Sequence, residues 1–180
     1  MGYTRFAFEF HQGVEYVSNP TDLDPKEYVS VLELLKKIDF LENVPEEELK
    51  NILFSLQKEL LPPNKTILFQ GEIANRLFIL RNGSVSITTK NKGQKIVLAQ
   101  LKPGSYFGEI SLLRPMSATA TATAGEEGAD VIILTHDAMT SISRKIPDIV
   151  DRIQKIIESR LASKKKAKEV DDETEAKTSA

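Results

Sequence analysis

The stretch PGSYFGEISLLRPMSATA, residues 103–120, is the part of this sequence that says most about its fold. Its pattern predicts the end of a strand, a glycine at Gly108 that permits close backbone approach, one helical turn from Glu109, and a return strand of small residues. Free N–H groups at the start of a helix, together with the helix dipole, favour a bound anion. The stretch is therefore a candidate cradle for a phosphate group.

The sequence around this stretch is typical of an all-β domain. After Pro62, glycine and proline separate short apolar runs, which read KTILF, RLFILRNG, SVSITTKN, KIVLAQL, TATATA and DVIIL. Turn signals recur about ten residues apart, at Asn82-Gly83, Lys92-Gly93 and Pro103-Gly104. Because no helical pattern alternates with these runs, the sequence predicts an antiparallel barrel or sandwich of short strands.

Helical patterns flank the β-rich region. Apolar spacing predicts one helix from Pro25 to Ile38 and a second over residues 45–58, where Pro45 and three glutamates favour the first turn. After Asp137 an apolar stripe predicts a long C-terminal helix, which is expected to pack on the barrel or on a second copy of the chain. The stripe consists of Ile146, Ile149, Val150, Ile153, Ile156, Ile157 and Leu161.

The two ends of the chain differ from the region between them, so the predicted domain runs over residues 26–163. Residues 1–25, called the aromatic arm below, carry Phe6, Phe8 and Phe10 at the period of a strand. Two interpretations stay open: the arm docks on its own domain core, or it offers a strand to a partner's sheet edge. Residues 164–180 join a lysine cluster to an acidic run, which predicts a disordered tail.

Composition excludes several kinds of site. The 180 residues include no cysteine and only two histidines, His11 and His136, so thiolate chemistry is excluded and an imidazole metal site is disfavoured. A formal charge of −2 gives no general attraction to nucleic acid or to acidic membranes. No segment approaches the roughly 20 apolar residues that span a bilayer, and no secretory signal opens the chain. We therefore expect a cytoplasmic protein, bacterial in type, with no metal and no membrane insertion.

The order of elements resembles the cyclic-nucleotide-binding domain of catabolite activator proteins, kinase regulatory subunits and gated channels. The resemblance covers residues 32–160 and rests on four local matches. These are FLENVPEEEL leading into the second helix, Gly71-Glu72 after a strand, RLFILRNGSVSI around a turn, and KPGSYFGEISLL opening the phosphate-binding cassette. The resemblance implies an α+β fold in which an antiparallel β-barrel or jelly roll is flanked by N-terminal helices and a long C-terminal helix.

The resemblance also implies a ligand site, from which this chain departs. In the family a cassette glutamate accepts hydrogen bonds from the ribose hydroxyl, backbone amides meet the cyclic phosphate, and a following arginine pairs with that phosphate. Glu109 matches the glutamate, although a carboxylate at a helix start also serves as a simple cap. Met116 stands at the arginine in the best local match, and Ala118 in a gapless one. The candidate site consists of Phe107, Gly108, Glu109, Ile110, Ser111, Arg114, Met116, Ser117, Ala118 and Thr119.

These departures lead us to expect a non-enzymatic regulatory module that acts through protein–protein contacts, with cyclic nucleotide binding weakened or lost. The contacts would be with a protein partner or a second copy, through the C-terminal helix or the aromatic arm. The alternative is a working receptor for cyclic AMP or cyclic GMP that uses cassette amides, Glu109 and Arg114. A cupin-like enzyme is disfavoured because its chemistry needs several histidines. We expect no required cofactor and, without a helix-turn-helix segment after the long helix, no nucleic acid partner.

Overall fold

The structure is a computed structural model and describes residues 14–16, 25–91, 94–113, 116–160 and 162. The helices are α1 (Pro25–Lys36), α2 (Glu46–Leu53), α3 (Glu109–Leu113), α4 (His136–Lys145) and α5 (149–160), with a 3-10 turn at Asp39–Leu41. The strands are β1 (Val14–Tyr16), β2 (Gln57–Leu61), β3 (Thr66–Leu68), β4 (Ile73–Ala74), β5 (Arg76–Asn91), β6 (Gln94–Leu101), β7 (Tyr106–Phe107), β8 (Met116–Ser117) and β9 (Thr121–Thr135). Most of the aromatic arm and the predicted tail, residues 164–180, lie outside the described residues.

All described strand pairs are antiparallel. The main sheet has the order β1-β2-β9-β5-β6, with β3 added to β9 and β7 added to β5. A separate two-stranded sheet pairs β4 with β8. The predicted α+β class and the jelly-roll architecture are therefore confirmed. Of the two forms expected, barrel or jelly roll, the described strands show the jelly-roll form, in which the sheet is rolled but not closed.

Two hydrophobic cores lie on opposite faces of the sheet, because successive side chains of a strand point to opposite sides. In β9, Val131 and Ile133 belong to the core inside the roll, whereas Ile132 and Leu134 belong to the core beneath the helices. The apolar stripe of α5 packs on the helix-side core, with Ile149 and Ile153 fully buried. We expected the stripe to pack either on its own domain or on a second copy of the chain. In the structure it packs on its own domain.

Two predicted helix boundaries were wrong. The second helix was expected over residues 45–58, but α2 ends at Leu53 and Gln57 already begins β2, since pairing with β9 outweighs the helical spacing of the side chains. The C-terminal helix is divided into α4 and α5 at Pro147. A proline has no backbone N–H and disfavours helical geometry in the preceding residue; Ile146 accordingly has φ −126° and ψ 78°.

The Asn82-Gly83 turn signal was also wrong, because both residues lie within the long strand β5. The register between β5 and β9 shifts on either side of them, which is the pattern of a β-bulge. Gly83 has φ +79°, and a Cβ there would lie 2.2 Å from the carbonyl oxygen of Gly128. Pro103-Gly104 forms the predicted turn, whereas Lys92-Gly93 lies outside the described residues.

No helix in the described part of the chain is long and apolar enough to cross a membrane.

Candidate functional site

The cassette predicted from residues 103–120 folds as strand, glycine and helical turn. Strand β7 pairs with β5, and Gly108 follows it with φ +88°. A Cβ on Gly108 would lie 2.4 Å from the carbonyl oxygen of Arg76, so only glycine fits where the chain leaves the sheet. The Ser111 amide then donates to the Gly108 carbonyl at 3.2 Å, which closes the first turn of α3.

Glu109, the cassette carboxylate, is buried and already has a cationic partner. Its residue is 6% exposed, and its Oε2 lies 3.0 Å from Nη1 of Arg160 on α5. The Arg160 guanidinium also stacks 4.3 Å from the ring centre of Tyr106 and donates to the Tyr106 carbonyl at 3.3 Å. An ion pair, a cation–π contact and a hydrogen bond therefore join α5 to the cassette.

Tyr106 extends this contact to the N-terminal helices. Its hydroxyl donates to Oδ1 of Asp39 at 2.5 Å, and its ring meets Phe40 edge to face with centroids 5.6 Å apart. Burial raises the pKa of the Tyr106 hydroxyl well above its usual value, and the hydrogen bond to Asp39 raises that pKa further. The 3-10 turn, the cassette and α5 consequently meet at a single aromatic ring.

Neither position where the family's arginine aligns carries a cation: Met116 lies in β8, and Ala118 follows that strand. Met116 lies opposite Ala74 with 38% of its surface exposed, and Ser117 is also exposed. Ala118 is buried, where its carbonyl accepts from Gly71 and its amide donates to the carbonyl of Glu72, both at 2.8 Å. The remaining candidate cation, Arg114, lies outside the described residues.

The remaining candidate residues take different positions. Phe107 is buried in the roll, where its ring stacks on Phe78 at 5.0 Å. Ser111 is buried, with its hydroxyl 3.4 Å from the Met116 carbonyl, whereas Ile110 is half-buried and Thr119 exposed. Phe107 to Ser111 thus form one continuous segment that runs from the end of β7 into α3.

Sequence reasoning missed Arg160 and Asp39, which lie far from the cassette along the chain. The apolar stripe of the C-terminal helix could have indicated Arg160, because the spacing of the stripe fixes which face of α5 turns toward the domain. Nothing in the local sequence around Asp39 identifies it as the acceptor of the Tyr106 hydroxyl.

The two histidines add no site within the described residues. His136 begins α4, and its Nδ1 lies 2.7 Å from the carbonyl oxygen of Leu112, a structural contact that ties α4 to α3. His11 lies outside the described residues. The described part of the chain holds no cluster of three or more histidine or carboxylate side chains that could bind a metal ion.

Comparison with known proteins identifies the fold and the family. A family model described as the cyclic nucleotide-binding domain matches residues 58–145. The cyclic AMP receptor protein of Thermus thermophilus is 31% identical over 116 residues, which cover 64% of this chain and 53% of that protein. A cAMP-dependent protein kinase regulatory subunit of Yarrowia lipolytica is 30% identical over 90 residues, covering 50% of this chain and 24% of that subunit. The chain thus spans about half, or less, of the length of these relatives.

Solved structures agree with this assignment. The crystal structure of the Thermus thermophilus catabolite activator protein has a TM-score of 0.66 and 27% identity, over 74% of this chain and 62% of that chain. A cyclic nucleotide-binding domain from Methylobacillus flagellatus has a TM-score of 0.67 at 18% identity, over 84% and 85% of the two chains, and supports the fold alone. Residues 58–145 of this chain therefore match the cyclic nucleotide-binding domain family.

Proposed function

We propose that this chain is a non-enzymatic regulatory module that acts through protein contacts and in which cyclic nucleotide binding is weakened or lost. The observation that carries the proposal is the ion pair between Glu109 and Arg160. In the family this glutamate is the acceptor for the ribose hydroxyl. Here the protein's own helix α5 satisfies it, so a nucleotide would have to compete with an internal cation.

The missing phosphate cation supports the same proposal. Met116 and Ala118 occupy the two positions where the family's arginine aligns, and neither side chain donates a hydrogen bond. Each charge-assisted hydrogen bond contributes about 1.5–3 kcal/mol. Losing a bidentate pair therefore weakens binding by roughly two to four powers of ten, at about 1.4 kcal/mol for each tenfold change.

An exposed apolar strand supports a role in protein contacts. Ile96, Val97 and Leu98 are consecutive in β6 and are 37%, 56% and 42% exposed. Strand β6 is the last in the order of the main sheet, and its register with β5 shifts between Ile87 and Thr88, a bulge that leaves Leu98 without a partner. Apolar side chains exposed together in this way mark interaction surfaces more often than scattered ones do.

A working cyclic nucleotide receptor is the second candidate, and one observation favours it. The cassette keeps the backbone of an anion cradle, since Gly108 has a positive φ and α3 begins directly after it. In such a receptor the ligand would take Glu109 from Arg160, so binding would be coupled to the position of α5. Arg114 would then supply the charge for the phosphate.

Calorimetric titration with cyclic AMP and cyclic GMP tests the proposal. The proteins to compare are the wild type, Met116→Arg and Ala118→Arg, which place the charge at the two aligned positions. We expect no saturable heat from the wild type at micromolar ligand. We expect binding in Met116→Arg, because that position lies at the surface of β8, whereas the buried position of Ala118 leaves no room for a guanidinium.

Saturable binding by the wild type at micromolar ligand would contradict the proposal and favour the receptor. Titration of Arg114→Ala would then show whether that residue holds the phosphate, since its loss would abolish the heat. Lys102→Ala, which removes an exposed cation before the cassette, is the matched control and should leave the titration unchanged.

A further inference from the structure

We propose that Tyr106 is a positioning residue that couples the contact between α5 and the cassette to the 3-10 turn Asp39–Leu41. Its ring binds Arg160 and its hydroxyl binds Asp39, so both contacts are made by one conjugated side chain. The coupling rests on the proposed function only in taking Glu109 as the group that a ligand or partner would bind. It is otherwise a property of the chain alone and is measured without ligand.

Two consecutive residues of the 3-10 turn hold the Tyr106 side chain. The Tyr106 hydroxyl donates to Oδ1 of Asp39 at 2.5 Å, and the Phe40 ring meets the tyrosine ring edge to face, with centroids 5.6 Å apart. The Arg160 guanidinium lies 4.3 Å from the centre of the same tyrosine ring. Tyr106 is buried, and electrostatic interactions are stronger in such a poorly solvated environment than in water.

The contacts of Asp39 and Arg160 strengthen each other through the tyrosine ring. A carboxylate that accepts from a phenol hydroxyl leaves more electron density on the ring, so the ring face attracts a cation more strongly. In return, the charge of Arg160 draws electron density from the hydroxyl and makes it a better donor to Asp39. Burial and the hydrogen bond to Asp39 raise the pKa of Tyr106, and the charge of Arg160 opposes that rise, so the hydroxyl responds to both groups.

The acceptor atom in the 3-10 turn is shared by two donors. The backbone N–H of Phe40 donates to the same Oδ1 of Asp39, at 2.9 Å. Because the two donors compete for one oxygen, a weaker bond from Tyr106 leaves a stronger bond from Phe40. A ligand or partner that draws Glu109 away from Arg160 would therefore change the hydrogen bonding of the 3-10 turn, which lies between α1 and α2.

A double-mutant cycle between Asp39→Asn and Arg160→Gln tests the coupling. Each substitution removes one charge, and the cost of leaving Glu109 without its cation appears in both arms of the cycle and cancels. We expect the folding equilibrium constant of the double variant to exceed the value for independent effects by about two- to fivefold. In the Tyr106→Phe background, which keeps the ring and removes the hydroxyl, we expect the two effects to be independent.

Two results of this cycle would overturn the proposal. Independent effects in the protein with Tyr106 would show that the ring does not couple Asp39 to Arg160. Coupling of equal size with and without the Tyr106 hydroxyl would assign it to direct attraction between the two charges.

The amide proton of Phe40 gives a second readout, which does not depend on stability. In NMR spectra of the folded protein, Arg160→Gln should move this signal downfield, because the Phe40 bond to Asp39 becomes stronger. The same substitution should leave the signal in place in Tyr106→Phe. Lys155→Gln removes an exposed cation from the same helix and is the matched control, with no expected shift.

A Phe40 signal that does not respond to Arg160→Gln, or that responds equally in Tyr106→Phe, would overturn the coupling. Neither measurement uses a nucleotide. Cyclic nucleotide binding by the wild type would therefore contradict the proposed function without affecting the coupling, and a failed cycle would refute the coupling without affecting the proposed function.

Discussion

The position of Gly108 in the cassette requires a residue without a Cβ, because a Cβ there would collide with the carbonyl oxygen of Arg76. Gly108 and Gly104 have nearly the same φ, +88° and +91°, but a Cβ on Gly104 would meet nothing within 4 Å. The left-handed conformation alone costs an L-residue about 1–2 kcal/mol. We predict that Gly104→Ala loses about that much unfolding free energy and that Gly108→Ala loses distinctly more, because its Cβ collides with the carbonyl of Arg76. Urea denaturation of both variants measures the difference, and equal losses would contradict the collision.

Residue-scale prediction from sequence worked where the chemistry was local. The pattern around Gly108 and Glu109 was sufficient to predict a strand, a glycine and a helical turn, because these depend on neighbouring residues. The cation that Glu109 meets could not be predicted from the same stretch, since Arg160 lies on a different helix. Its pairing depends on how α5 packs against the domain, a tertiary property that the local sequence does not encode.

Helix α1 is fastened to the sheet by a cluster of charges. Glu27 accepts from Lys58 of β2 at 2.5 Å and from Arg81 of β5 at 2.9 Å, and Arg81 also pairs with Asp130 of β9. The hydrogen bond from Lys58, and then that from Arg81, lower the pKa of Glu27 below its ordinary value of 4.5, although burial opposes them. Its charged form is therefore the one that the folded state favours.

The lowered pKa of Glu27 predicts that acid weakens the attachment of α1 to the sheet. Because the pKa of Glu27 is lower in the folded state, its contribution is complete above about pH 4.5 and is lost as the pH falls through the folded value. Glu27→Gln should lower the melting temperature at pH 7 and flatten its decline toward pH 3. Glu46→Gln is the control, since Glu46 also pairs with lysine but is half exposed, and solvent weakens such pairs. Parallel acid declines in the wild type and Glu27→Gln would contradict the prediction.

Element boundaries were harder to predict than element types. The helical spacing of α2 continues into Leu56, so only the pairing of Lys58 and Glu59 with β9 reveals that the helix has ended. Pro147 marks the division between α4 and α5 in the sequence, but the prediction followed the isoleucine spacing, which runs through it without interruption, and so gave one long helix. In both cases the apolar periodicity showed which side chains are buried. It did not show where the helical backbone ends.

For the whole molecule, the contact of Arg160 sets how firmly α5 is held. Arg160→Ala leaves the buried Glu109 carboxylate without its cation, and we predict a loss of about 1–3 kcal/mol in unfolding free energy. The value is below that of a fully buried pair because the Arg160 side chain is 37% exposed. Hydrogen exchange in the last turn of α5 should accelerate in parallel.

Two variants separate this ion pair from a general effect on the helix. Lys155→Ala removes an exposed cation from the same helix and should change neither stability nor exchange. Adding Glu109→Gln to Arg160→Ala should recover part of the lost stability, because it removes the unpaired buried charge. No recovery in the double variant would show that the loss comes from packing on Tyr106 instead.

Strand β9 contains the segment in which we expect substitutions to be tolerated least. Residues 131–134 alternate between the two cores, and each of these four side chains is at most 2% exposed. In a typical strand at a protein surface, every second side chain faces solvent and can be polar. In residues 131–134 no side chain faces solvent. During evolution, this strand therefore accepts only exchanges between apolar residues of similar volume. Adaptation to a new partner is less constrained in the helices, the cassette and the arm.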